Sequence, residues 1–132
     1  MTLQELLASI AAHAGWACQK DAAGRDLLTV LLPQGRKQTI QVEVVQWSGV
    51  PLARLRTVIG AKSALAGERP RFALSLNGGL VFGSLAVVGD DLVMTHTLML
   101  HGIIPAEAFL AAAYLATQAD ELEHKLFQAD RQ

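Results

Sequence analysis

The fold is decided by residues 37–59, KQTIQVEVVQWSGVPLARLRTVI. On both sides of Ser48-Gly49, apolar side chains alternate with polar ones, a period of two that is typical of strands buried on one face. The positions predicted to point inward are Ile40, Val42, Val44, Ala53, Leu55, Thr57 and Ile59. Arg54 and Arg56 fall on the opposite face of the second strand. Two long strands joined by a tight turn are therefore expected.

Further strands are predicted before and after this pair. The apolar run 27–32 is followed by the turn residues 33–36, PQGR, which indicates a hairpin with the strand that begins at residue 37. Two β-rich runs, 81–88 and 92–100, flank the turn residues Gly89-Asp90-Asp91 and predict a second hairpin. Five strands are expected in all.

Helices are predicted near both ends of the sequence. Thr2 and Glu5 have the spacing of a capping box, and Gly15 supplies a stop signal for the helix that follows. Pro105 suits the first turn of a second, longer helix over residues 106–127. The apolar stripe of this helix consists of Ala108, Ala112, Leu115, Ala119, Leu122 and Leu126. Its alanines would allow close approach to a flat sheet.

A short helix over residues 72–76 separates the two groups of strands. The predicted order is therefore α-β-β-β-α-β-β-α, without the strand and helix alternation of a parallel sheet. This order predicts an α+β fold in which helices cover an antiparallel sheet. Residues 1–132 are expected to form a single domain.

Composition and charge limit the partners and the compartment. The chain is 52% hydrophobic and 17% charged, with a formal net charge of −1. Nucleic-acid binding requires a concentrated positive surface, so no nucleic-acid partner is predicted. Cys18 is the only cysteine, which fits a reducing compartment, and a cytoplasmic location is predicted. The uncharged stretch 72–89 contains Asn77 and four glycines, so it predicts strands and turns and no membrane span.

No catalytic, cofactor-binding or metal-binding residue is predicted. His96 and His101 are expected on opposite faces of a strand, without a cysteine or carboxylate at metal-ligand spacing. Cys18 is interpreted as a small buried hydrophobic residue. The glycines of residues 78–83 lack the Lys-Ser/Thr pair of a phosphate loop, and a strand should follow them. An enzyme is accordingly the least favoured function.

Five segments in the second half of the chain have a recognisable pattern: 76–77 (LN), 83–88 (GSLAVV), 89–93 (GDDLV), 95–100 (THTLML) and 119–123 (ADELE). Together they resemble the YbjN-type branch of the type III secretion chaperone-like fold. The resemblance implies a curved antiparallel sheet with the element order given above. It also implies a non-enzymatic, usually dimeric protein whose hydrophobic grooves receive a partner polypeptide. The matching residues belong to the scaffold, so no binding residue is implied.

Two functions are considered beside an enzyme. The favoured one is a protein-binding module that acts as a homodimer, with Trp47, Arg54, Leu55 and Arg56 as the predicted partner-binding residues because they lie on or beside the central strands. The alternative is a small-molecule-binding regulatory domain. Its predicted pocket lies between the sheet and the last helix, where Ala111, Ala112 and Ala116 would leave room.

Overall fold

The structure, a computed structural model, describes residues 1–61, 63, 65 and 67–125. Its helices and strands are α1 (Leu3–Ala14), β1 (Ala17–Lys20), β2 (Asp26–Leu31), β3 (Lys37–Trp47), β4 (Val50–Ala61), α2 (Arg69–Leu76), β5 (Ser84–Val88), β6 (Asp91–Met99) and α3 (Pro105–Glu123). The six strands form one sheet in the order β1-β2-β3-β4-β6-β5, and every neighbouring pair is antiparallel.

The predicted α+β class is confirmed, as is the order of helix, strands, helix, strands and helix. The structure adds one strand that the sequence did not predict. This strand, β1, pairs with β2 at the edge of the sheet, and all four of its residues are exposed. The predicted last helix is confirmed through Glu123, while Leu126 and Phe127 lie outside the described residues.

The first helix forms as its capping box predicts. The Thr2 hydroxyl accepts from the Glu5 backbone amide at 3.1 Å, and the Glu5 carboxylate accepts from the Thr2 amide at 3.3 Å. Gly15 ends the helix in the left-handed conformation. Its apolar stripe, Leu3, Leu6, Leu7 and Ile10, is buried. The two caps thus fix where the helix begins and ends, and the apolar stripe sets the face that packs against the core.

All three helices contribute to one hydrophobic core on one face of the sheet. Helix α3 crosses the middle of this face, and its predicted stripe is buried from Ala108 to Leu122. Ile40 and Val42 point into the core as predicted, but Val44 is 45% exposed. Val44 has the predicted inward orientation, because its cross-strand partner Ala53 is buried, but it lines an open cavity beside Thr2 and Leu3 and so stays exposed.

A side chain caps the outer edge of β5. The Asn77 amide oxygen accepts from the Leu85 backbone amide at 2.6 Å, and its amide nitrogen donates to the Leu85 carbonyl at 3.4 Å. Asn77 follows α2 directly, in a short 3-10 turn. Its carboxamide therefore occupies the place that the backbone of a further strand would take beside Leu85.

An ion pair connects the turn between β2 and β3 to the end of α3. Arg36 contacts the Asp120 carboxylate at 2.7 Å and the His124 ring nitrogen Nε2 at 2.9 Å. This contact explains an acidic residue near the C-terminus of a helix, where the macrodipole alone disfavours negative charge. None of the helices in the described residues is long and apolar enough to cross a membrane.

Candidate functional site

The face of the sheet that points away from the core cluster is exposed at Trp47, Val58 and Met99, although Val93 on the same face is only 1% exposed, and we call it the open face. Its rows follow from the strand register. One row consists of Val45, Leu52 and Met99 on β3, β4 and β6; the next consists of Glu43, Arg54 and Thr97; the next of Gln41, Arg56 and Thr95. None of these nine side chains belongs to the hydrophobic core.

Four apolar side chains form a patch at one end of the open face. This patch, which we call the Trp47 patch, consists of Val45, Trp47, Leu52 and Met99. Trp47 is 74% exposed and Met99 is 59% exposed. Trp47 ends β3, and Ser48 and Gly49, both with positive φ, form the turn to β4. A large indole exposed beside other apolar groups is typical of protein–protein contact surfaces.

Three of the four predicted partner-binding residues lie on the open face. Arg54 and Arg56 are half-buried there, and Trp47 stands at its end. The prediction for Leu55 is wrong, because its side chain is only 2% exposed and points into the core on the helix side. Successive residues of a strand point to opposite faces, so Leu55 cannot share a surface with its two arginine neighbours.

Opposite charges stand next to each other beside the Trp47 patch. Glu43 and Arg54 are cross-strand partners in the register of β3 and β4. The nearest charged contact of Glu43 is Arg56, with 3.8 Å between Oε1 and the guanidinium nitrogen. Within the described residues no ion pair connects Arg54 to an acid. The charged row therefore presents both signs to the outside.

Sequence reasoning missed Met99, Leu52 and Val45 as members of the patch. The alternation of β3 and β4 contains the signal for Val45 and Leu52, because both are two positions from residues predicted to point outward. Met99 could not be placed in this way. It joins the patch only because β6 pairs with β4, a contact between strands that are not consecutive in the chain.

A second apolar surface is the groove between α2 and β5. This cavity of about 260 Å³ is lined by Leu65, Pro70, Ala73, Leu74, Asn77, Leu85, Ala86, Val87 and Leu92. Among the described residues that line it, Asn77 alone is polar. Leu74 and Val87 are 70% and 53% exposed. The groove is therefore an apolar surface already open to solvent.

The pocket expected between the sheet and α3 is not open at the predicted residues. Ala111, Ala112 and Ala116 are completely buried. Ala112 and Ala116 belong to the core cluster together with strand residues such as Ile40 and Ala53. The small side chains are thus used for close packing of the helix on the sheet.

The titratable groups are dispersed. Cys18 lies exposed on β1, so its predicted burial is wrong, although partial desolvation and the nearby Asp26 carboxylate raise the pKa of its thiol. His96 faces the helix side beside Phe82, and burial lowers its pKa, which favours the neutral ring. His101 lies in the turn after β6. In the described residues, no three His, Cys, Asp or Glu side chains come together as a metal site would require.

Compared with models of known protein families and with curated proteins, the chain matches none. Membership of the YbjN-type branch therefore stays a prediction.

Proposed function

We propose that this chain is a non-enzymatic protein-binding module that pairs with a second copy through the open face and holds a partner polypeptide in the groove between α2 and β5. The observation that carries the proposal is the Trp47 patch, in which an indole that is 74% exposed shares one sheet face with Val45, Leu52 and Met99, and none of the four belongs to the core cluster of the described residues. Removing such a patch from water lowers the free energy by about 25 cal/mol per Å² of apolar area.

A second copy suits the open face because the face is self-complementary. In a two-fold symmetric interface both subunits use the same surface. If a first residue of one subunit contacts a second residue of the other, the symmetry repeats that contact with the subunits exchanged. Glu43 and Arg54 lie side by side, and a rotated copy can place its arginine against the first copy's glutamate. The apolar row next to them would then meet its own equivalent. A stable interface of this kind buries about 800 Å² on each subunit.

The groove supports the second part of the proposal. Its lining is apolar, and the exposed Leu74 and Val87 line it without a cover in the described residues. Side chains of a partner polypeptide could displace water from the groove without any movement of α2 or β5. The groove lies at the β5 edge of the sheet, so a partner there would leave the open face available.

Light scattering after size-exclusion chromatography tests the pairing. We expect the unaltered chain to have the mass of a dimer, and Trp47→Asp to weaken dimerisation at least tenfold because an interface tryptophan commonly contributes about 2 kcal/mol or more. Val81→Asp is the matched control, since Val81 is 72% exposed but lies in the loop before β5. A monomer at every concentration, or equal loss in the control, contradicts the pairing.

Comparative capture from the native cell tests the partner site. We expect a stoichiometric companion on the unaltered chain, and its loss with Leu74→Glu because a charge would be buried in an apolar groove. Leu110→Glu is the matched control, since Leu110 is a similarly exposed leucine on α3 and does not line the groove. A companion that both variants retain, or that both lose, argues against the groove. Mass spectrometry would identify and count it.

A further inference from the structure

The sheet opens at the end of the open face that lies away from the Trp47 patch. The register between β3 and β4 runs from Trp47 opposite Val50 to Gln41 opposite Arg56, and both strands continue beyond that pair. Side chains bridge the gap. Gln38 Nε2 donates to Thr57 Oγ1 at 2.6 Å, and Thr57 Oγ1 donates to the Thr39 carbonyl at 2.8 Å. The opening is therefore held by polar side chains.

A cavity of about 300 Å³ lies at this opening. Lys37 and Arg56 supply two positive charges to its wall, and Asp21 is the one acidic residue among the described residues that line it. The Asp21 carboxylate is already used, because it accepts from the Arg25 side chain at 2.7 Å and from two backbone amides at 2.9 Å. The cavity therefore has an excess of positive charge.

The guanidinium of Arg56 has hydrogen-bond donors without acceptors. Its side chain is 25% exposed, and its Nε is buried without an acceptor in the described residues. The Glu43 carboxylate is 3.8 Å away, longer than a hydrogen bond of about 2.7 to 3.2 Å. The hydroxyl of Thr95, its cross-strand neighbour, is likewise buried without a partner. A guanidinium with five donors gains most from an acceptor when few of them are satisfied.

We propose that this cavity binds a small anion that carries a carboxylate or phosphate group, with Arg56 as the principal contact and Lys37 as a second positive charge. A guanidinium can hold either group by two parallel hydrogen bonds. The volume is at the lower end of small-ligand sites, so it suits a metabolite-sized anion. Gln41 and Thr39 in the same wall can bind the polar body of the ligand.

This inference goes beyond the proposed function and does not depend on it. Arg56 lies four residues along β4 from Leu52, about 13 Å at the rise of a strand. The anion site and the Trp47 patch are therefore separate surfaces of the same face. A bound anion and a second copy need not compete for the same atoms.

Titration of the full chain with sodium phosphate and with sodium succinate tests the site. Ionic strength is kept constant, and succinamide serves as the uncharged control. We expect saturable binding by calorimetry and a shift of the Arg56 Nε–H signal in the nitrogen-15 NMR spectrum with at least one of the two anions, and none with succinamide. The anion that binds more tightly identifies the preferred group.

Three substitutions make the test specific. We expect Arg56→Gln to weaken binding at least tenfold and Lys37→Gln to weaken it about threefold, because each removes a positive charge from the cavity wall. Arg71→Gln, at an exposed position of α2, should leave binding unchanged. If Arg56→Gln does not fold, the comparison of Lys37→Gln with Arg71→Gln decides. Absence of saturation, binding of succinamide, or equal weakening by Arg71→Gln would overturn the proposal.

Discussion

Replacing Gly83 by alanine should destabilise the chain by about 2 to 5 kcal/mol, the sum of left-handed backbone strain and overpacking. Gly83 has φ +72°, and an added Cβ would lie 2.7 Å from the Thr95 carbonyl oxygen and 3.1 Å from a methyl carbon of Leu115. The carbonyl belongs to β6 and the methyl to α3, so neither can move without disturbing the sheet or the core. Such a loss is a large part of the roughly 5 to 15 kcal/mol that stabilises a domain.

Two matched glycines separate the causes of this loss. Gly102 has the same φ, +72°, but open space around its Cβ position, so Gly102→Ala should show the backbone cost alone, about 1 kcal/mol. Gly79 has neither a positive φ nor a close neighbour, and Gly79→Ala should change stability by about 0.5 kcal/mol or less. Urea denaturation of the three variants measures the series. Equal losses at Gly83 and Gly102 would contradict the close approach of Gly83 to Thr95 and Leu115.

Replacing Ala112 by leucine should cost about 1 to 3 kcal/mol, because added carbon atoms must be accommodated in a filled core. Ala112 is completely buried where α3 lies across the sheet. Urea denaturation checks the loss. The same substitution also tests the alternative function, in which a small molecule binds in a pocket between the sheet and α3. An empty pocket beside Ala112 would accept the leucine side chain with little loss or even with a gain in stability.

Ala106→Leu is the control for this substitution. Ala106 is exposed in the first turn of the same helix, so the change in helix propensity is the same while the change in packing is absent. Its unfolding free energy should remain within about 0.5 kcal/mol of the unaltered chain. A small loss at both positions would show that α3 does not pack closely on the sheet.

The elements with a buried face were predictable because burial imposes a period on the sequence. Ile40 and Val42 on β3, and Ala53 and Leu55 on β4, alternate for this reason. Strand β1 has no buried residue in Ala17–Lys20, so no alternation marks it, and its formation depends on pairing with β2. The exposure of Cys18 follows from the same edge position.

The candidate interface was predictable only in part. Alternation places Arg54 and Arg56 on one face and Leu55 on the other, whereas the prediction of Leu55 as a partner-binding residue depends on its place on a central strand near the connecting loop. Leu52 lies opposite Met99 because β4 pairs with β6. Sequence periodicity carries no information about which strands are neighbours, so this contact could not be predicted. The pairing of β3 with β4 was predictable, but the end of their register at Gln41 and Arg56, where the sheet opens, leaves no mark in the alternation.

The carboxamide that caps Leu85 has a consequence for how these molecules behave when concentrated. Unprotected sheet borders invite stacking into fibres or exchange of segments between chains. At the free edge of β5, an incoming strand must first displace the Asn77 side chain from the Leu85 backbone. The next residue in the chain, Gly78, has no side chain that could form the same hydrogen bonds. The sequence of β5, SLAVV, contains no charge or proline that would oppose pairing with another chain. The Asn77 carboxamide thus protects this edge strand against aggregation.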